Sequence, residues 1–189
     1  AVHDLIDDIA QVLNVQPLMS NMELECILEA QNDAVLADAN QLRQVFLNLI
    51  INAADAISSA GNAANGKLVI KSDQANEKQE QSNKQKQLLK ITFMDNGPGI
   101  SEENIANIFD PFYTTKEPGK GTGLGLSVSF MIVQGFGGEM TVHSEKGEET
   151  SLTIILPVIE GEPNMVQNQD LAAAPSRLST GADEKPLEQ

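Results

Sequence analysis

The sequence predicts an α/β protein, and three observations carry that prediction. Segments with apolar residues at helical spacing, around Leu5, Leu42 and Val128, interleave with segments that alternate like strands, among them 88–94 and 150–156. The 189 residues are 41% hydrophobic and 21% charged, a composition that supports one domain with a sizeable core. Glycine gathers between residues 95 and 125, where turns separate the regular elements.

Taken in order, Leu5, Ile9, Val12 and Leu13 recur at helical spacing, and Pro17 makes a stop nearby. Leu24, Cys26 and Leu28 alternate as in a short strand. The clearest helix spans 38–59, with Leu42, Val45, Phe46, Leu49, Ile50, Ala53 and Ile57 on one apolar face. Asp38 with Gln41 resembles a capping box, and Gly61 supplies an end. Strands are expected at 67–72 and 88–94, with the polar stretch 74–87 as a long mobile connection. Leu124, Val128, Met131 and Ile132 restart a helical period that Gly135, Gly137 and Gly138 end. Strands at 139–145 and 150–156 close the fold, so the domain is expected to occupy 1–160. Residues 161–189 have few large apolar side chains and are expected to be a disordered tail.

Twelve Lys and Arg against 27 Asp and Glu give a formal charge of -15, which repels a nucleic-acid backbone. No long apolar run suggests a membrane span, and the first residues lack the pattern of a secretion signal. Residues 1–38 hold acids and no Lys or Arg, which reads as a solvated face. Cys26 is the single cysteine, so an internal disulfide and a Cys-based metal site are excluded. It reads as a buried small hydrophobe, and a reducing, cytoplasmic setting fits.

Four constellations stand out as chemistry. Asn48, Asn52 and Asp55 lie at i, i+4 and i+7, a polar stripe beside the apolar face of the 38–59 helix. Amide oxygens there suit Mg²⁺ and amide NH₂ groups suit phosphate, although Asn at such a rim also serves simply to face solvent. In Asp95-Asn96-Gly97-Pro98-Gly99-Ile100, a carboxylate at a strand end beside two glycines can accept from a flat ligand, or the hexapeptide is a tight turn and nothing more. Gly119, Gly121, Gly123 and Gly125 precede a helix, where main-chain NH groups and the helix start favour phosphate. The run fits neither the Walker A nor the dinucleotide-binding pattern. Between them, Phe109, Phe112 and Tyr113 sit in a loop with Lys116, either as anchors of a moving lid or as a small hydrophobic cluster.

In sequence order, NLIINA at 48–53, DNGPGI at 95–100, FDPFYTTK at 109–116 and GTGLGL at 121–126 resemble the N, G1, F and G2 boxes of the sensor histidine kinase ATP-binding domain. That domain has the Bergerat fold shared with DNA gyrase B, Hsp90 and MutL. The resemblance covers residues 2–157, and the PFYTTK lid is similar to that of nitrogen-regulation-type kinases. It implies a two-layer α/β sandwich, a mixed sheet backing helices, with ATP between the helices and a mobile lid.

By the same resemblance, Asp95 accepts from the adenine amine while Gly97 and Gly99 give the base room. Asn52 is the Mg²⁺ ligand and Asn48 its phosphate-side neighbour. Gly121, Thr122, Gly123, Leu124 and Gly125 line the phosphates, and Lys116 or Lys120 supplies a charged lid contact. Ile100 and Phe112 belong to the same boxes, and Thr150 resembles the threonine that supports the adenine-binding carboxylate, although Glu149 stands where a glycine is usual. Asn48 replaces the water-activating Glu of hydrolytic relatives, so intrinsic ATP hydrolysis is expected to be slow. Asn48 and Lys116 are accordingly the residues expected to act on the phosphoryl group.

His3 and His143 are the histidines, and both read as surface residues; neither sits in the phosphoacceptor pattern. The acceptor is therefore expected on a dimerisation domain outside this chain, with a response regulator as the onward partner and a parent protein that is cytoplasmic or membrane-anchored. Two other readings share the motifs: an ATP-gated interaction module without catalysis, and an anti-sigma-type serine kinase.

Overall fold

The computed structural model describes residues 1–13, 22–60, 65–78, 85–117, 119 and 121–159. The expected stop at Pro17, the helix end at Gly61, residues 79–84 of the connection, Lys120 and the tail lie outside them. Helix α1 (Val2–Leu13) buries Val2, Leu5, Ile6, Ile9 and Leu13; of the four positions read from the spacing, Leu5, Ile9 and Leu13 face the core, whereas Val12 is exposed because Val2 and Ile6 centre the buried stripe on the other side of Leu5 and Ile9. Strand β1 (Met22–Leu28) follows, then α2 (Ala39–Ser59), whose buried face holds all seven apolar positions expected there. Asp38 Oδ1 accepts from Gln41 N at 2.9 Å. The cap is one-way, because the Gln41 side chain is exposed and makes no return bond among the described residues.

The strands expected at 67–72 and 88–94 are longer than their apolar cores. β2 (Gly66–Lys78) and β3 (Gln85–Asp95) pair antiparallel all the way to Lys78 opposite Gln85. Most of the stretch read as a loop is thus a ladder. Main-chain pairing does not require apolar side chains, and Gln74 adds to it by donating to Leu88 O at 2.9 Å and accepting from Asn32 N at 3.0 Å. A short helix α3 (Glu102–Ile105) stands in the stretch read as turns; α4 (Gly125–Gly135), β4 (Glu139–Ser144) and β5 (Thr150–Pro157) complete the chain order.

The five strands form one mixed sheet in the order β1-β2-β3-β5-β4, with β1 parallel to β2 and every other pair antiparallel. Helix α2 packs on β2 and β3, α1 and α4 flank it, and together they make the second layer of the expected sandwich. Cross-strand rows explain the core. Ile70, Phe93 and Leu152 stand in one row and Ile91, Ile154 and Met140 in another, all buried; the Phe46 ring of α2 lies 5.7 Å from that of Phe93.

His3 departs from the surface reading. Asp33 caps α1 by accepting from His3 N at 2.7 Å through Oδ2, and Val2 N–H donates to Asp33 O at 3.2 Å. That anchoring turns the His3 ring inward, where Nε2 meets the hydroxyl of fully buried Ser72 at 2.8 Å. His143 is exposed, as expected. Cys26 is half-buried against the core rather than fully enclosed, and burial pushes its thiol pKa up.

Candidate functional site

Asp95 ends β3 on the core face of the sheet, with only 6% of its surface exposed. Its Oδ1 accepts from Gly97 N at 2.9 Å, which leaves Oδ2 as the oxygen for another donor. Burial pushes its pKa up to about 6; the Gly97 N–H opposes that rise and the nearby charge of Glu149 adds to it. Asn96 next to it has a different job: it accepts from Lys67 N at 2.7 Å and donates to Asn65 O at 2.8 Å, fixing the start of β2. One half of the Asp95-Asn96 pair therefore shapes the turn and the other presents an acceptor.

The two glycines of the turn also differ. A Cβ on Gly97 would fall 2.6 Å from Asp95 Oδ1 and 3.2 Å from Ala56 Cβ, so this glycine lets the loop lie against α2 beside the carboxylate. A Cβ on Gly99 would fall 1.9 Å from Glu145 O and 2.8 Å from Glu148 O. An added Cβ would collide with the β4–β5 turn, so this glycine lets that turn pack against the loop. Gly147 N donates to Pro98 O at 2.7 Å and Ile100 N donates to Ser144 Oγ at 2.9 Å, which complete the junction.

Eight residues back along α2, Asn48 Nδ2 donates to Gly125 O and Ser129 Oγ, both at 3.3 Å. A Cβ on Gly125 would lie 3.8 Å from Asn52 Nδ2, so both amides face the start of α4. The Asn52 side chain has no hydrogen-bond partner among the described residues. Lys116 pairs with Asp55, the third member of the stripe, which brings the positive charge of the 109–116 loop to the same helix.

The aromatics of the 109–116 loop divide. Phe109 stacks on Phe130 at 5.0 Å, and Tyr113 OH donates to Asn104 Oδ1 at 2.7 Å, so these two tie the loop to its packed surroundings. Phe112 is 75% exposed, holds φ at 67°, and donates its N–H to Gly123 O at 2.9 Å. Gly121 packs against Thr114 and Lys116, Thr122 Oγ1 accepts from Leu124 N at 3.3 Å, and the exposed Gly119 has open space around it.

Thr150 stands opposite Asp95 in the β3–β5 register and opposite Ser144 in the β4–β5 register. Its Oγ1 lies 2.9 Å from Ser144 Oγ, and both residues are buried. Ser144 escapes motif reading, but alternation could have found it: Met140, Val142 and Ser144 share the inward face of β4, and a hydroxyl at the third of those positions must serve something.

A mixed five-strand sheet under three helices, with a buried acceptor at one strand end and an amide stripe facing a glycine-led helix, defines a nucleotide-binding α/β sandwich. Residues 37–160 match the family described as histidine kinase-, DNA gyrase B-, and HSP90-like ATPase, and the chain belongs to that family. It is 35% identical over 158 residues to sporulation kinase E of Bacillus subtilis (strain 168), covering 83% of this chain and 19% of that protein. It is 29% identical to the sensory histidine kinase/phosphatase NtrB of Vibrio alginolyticus over 158 residues, 84% of this chain and 43% of that protein. The nucleotide-free catalytic domain of histidine kinase ThkA superposes with a TM-score of 0.64 at 26% identity, covering 82% of this chain and 93% of that one. The chain thus has the ATP-binding catalytic domain of sensor histidine kinases, and spans about a fifth to two fifths of these two full-length relatives.

Proposed function

We propose that the chain binds Mg·ATP between α2, α4 and the lid, and delivers the γ-phosphoryl to a histidine on a dimerisation domain outside these residues. The observation that supports this best is the spacing along α2. Its Ala56 end meets Gly97 beside Asp95, and its Asn48 and Asn52 end meets Gly125. Four residues of helix separate Ala56 from Asn52 and eight separate it from Asn48, about 6 and 12 Å, a span that suits a base at one end and phosphates at the other.

In this reading Asp95 Oδ2 accepts from the adenine amine, and Gly97 leaves the ring room. Main-chain groups of Gly121, Gly123, Leu124 and Gly125 face the phosphates, with Thr122, Ile100 and Phe112 bordering the nucleotide. Lys116 exchanges Asp55 for phosphate charge, and Lys120 is assigned to the same lid. The donor set fits magnesium: Asn52 offers a neutral, hard, unengaged oxygen, which suits a cation that keeps waters and shares phosphate oxygens. Bound there, the ion would neutralise charge on the transferred group. Asn48 is an amide already committed to Gly125 O and Ser129 Oγ, with no basicity to activate water, so direct hydrolysis stays slow.

Joined to the dimerisation domain of its parent protein, the chain is expected to move labelled γ-phosphate onto histidine, recognised by its acid lability. Absence of transfer at saturating Mg·ATP would leave a nucleotide-gated interaction module, and acid-stable phosphoserine would leave a serine kinase. A response regulator would take the phosphoryl onward in a cytoplasmic setting; no helix among the described residues is long and apolar enough to cross a membrane. Asn52→Ala is expected to lower Mg²⁺-dependent ATP affinity by at least about tenfold with unchanged melting, since its amide holds nothing else among the described residues. Normal affinity in that variant by calorimetry would take Asn52 out of the metal site.

A further inference from the structure

We propose that Ser144 is a positioning residue for base recognition, holding the hydroxyl of Thr150 so that it presents acceptor lone pairs, beside Asp95, to the amine of the base. The inference rests on the ATP reading above and deepens it to specificity. Directly paired residues in antiparallel strands share one face of the sheet. Asp95, Thr150 and Ser144 therefore form a single polar row across β3, β5 and β4, at the end of a core face that is otherwise largely apolar.

With the Ser144 proton assigned to Glu149 O, the contacts in that row are all satisfied in one direction. Ser144 Oγ receives the N–H of Ile100 at 2.9 Å and donates its one proton to Glu149 O at 3.3 Å. The remaining bond, to Thr150 Oγ1 at 2.9 Å, coexists with both only if Thr150 is the donor. Thr150 then has no proton left for a ligand. Two acceptors, Asp95 and Thr150, face a group with two N–H donors, which matches the amine of adenine and opposes the carbonyl oxygen that replaces it in hypoxanthine.

The test compares ATP with inosine triphosphate by calorimetry on the full chain with magnesium. Ser144→Ala frees Thr150 to rotate and donate. ATP affinity is then expected to fall by about tenfold while inosine triphosphate changes by less than about threefold, so the preference between them shrinks. Ser144→Thr, which keeps the hydroxyl, should restore that preference. Equal weakening of both nucleotides, or no change in either, would overturn the proposal. Thr150→Val gives an independent sign: removing an acceptor lowers the preference for ATP, whereas removing a donor would raise it and refute the assigned direction. Failure of the unaltered chain to bind either nucleotide would instead strike the ATP reading itself.

Discussion

Asp95→Asn is expected to abolish measurable ATP binding while raising the melting temperature of the chain. Gly97 N–H holds Oδ1, so an asparagine would place its oxygen there and turn its NH₂ to the position of Oδ2. A donor would then face the donor of the base, and a site built around one buried hydrogen bond loses at least about a hundredfold when that bond is reversed. Stability moves the other way. The carboxyl is raised from 3.8 to about 6 by burial, against the Gly97 N–H and with Glu149 adding to the rise. A folded-state pKa above the unfolded one gives stability that is full below pH 4 and is lost as pH rises through 6. At pH 7 the ionised, buried group therefore costs up to about 3 kcal/mol. Asparagine carries no such cost, and a gain of about 5 °C by calorimetry or circular dichroism is expected. Retained ATP affinity would end the base-recognition role, and a lowered melting point would mark Asp95 as structural. The unaltered chain should also bind ATP more weakly as pH falls below 6, because protonation removes the charge from the acceptor.

That opposition between binding and stability explains which parts of the molecule were legible in the sequence. Burial follows pattern, so the apolar face of α2 and the inward rows of β3 and β5 could be read directly from Leu42, Phe46, Ile91 and Ile154. Motif residues were legible because their chemistry departs from that pattern: a carboxylate closing an alternating strand, or amides beside an apolar stripe. What stayed hidden depends on contacts between segments distant in sequence. His3 looks solvent-facing until Asp33 caps the helix that carries it. The polar ladder of β2 and β3 beyond Ser72 looks like a loop because side chains advertise burial, whereas main-chain pairing leaves no trace in composition. Lys116 could be read as a cation seeking an anion, but its partner Asp55 lies 61 residues away. Gly99 was legible as a turn glycine beside the carboxylate; that its missing Cβ makes room for Glu145 and Glu148 needed the packed hairpin.

Gly99→Ala should therefore damage the site from behind. Gly99 has φ at +69°, and a Cβ there would meet Glu145 O at 1.9 Å and Glu148 O at 2.8 Å. Those atoms are main chain in a turn closed by the bond from Glu148 N to Glu145 O at 3.0 Å, so no side-chain rotation relieves the clash. Either the 97–100 loop or the β4–β5 turn must shift, and both ends of the junction go with it: Gly147 N to Pro98 O and Ile100 N to Ser144 Oγ. The expected cost is about 3 kcal/mol or more in urea unfolding, with ATP affinity down by at least about tenfold in the fraction that remains folded. Gly147→Ala separates the causes. Its φ is +89° but no atom of the described residues lies within 4 Å of the added carbon, so it carries the left-handed backbone penalty of about 1–2 kcal/mol alone. ATP affinity should be preserved there, since the Gly147 N–H still reaches Pro98 O. Equal losses of stability and affinity in the two variants would mean that backbone conformation alone, and not the contact between hairpin and loop, governs the geometry around Asp95.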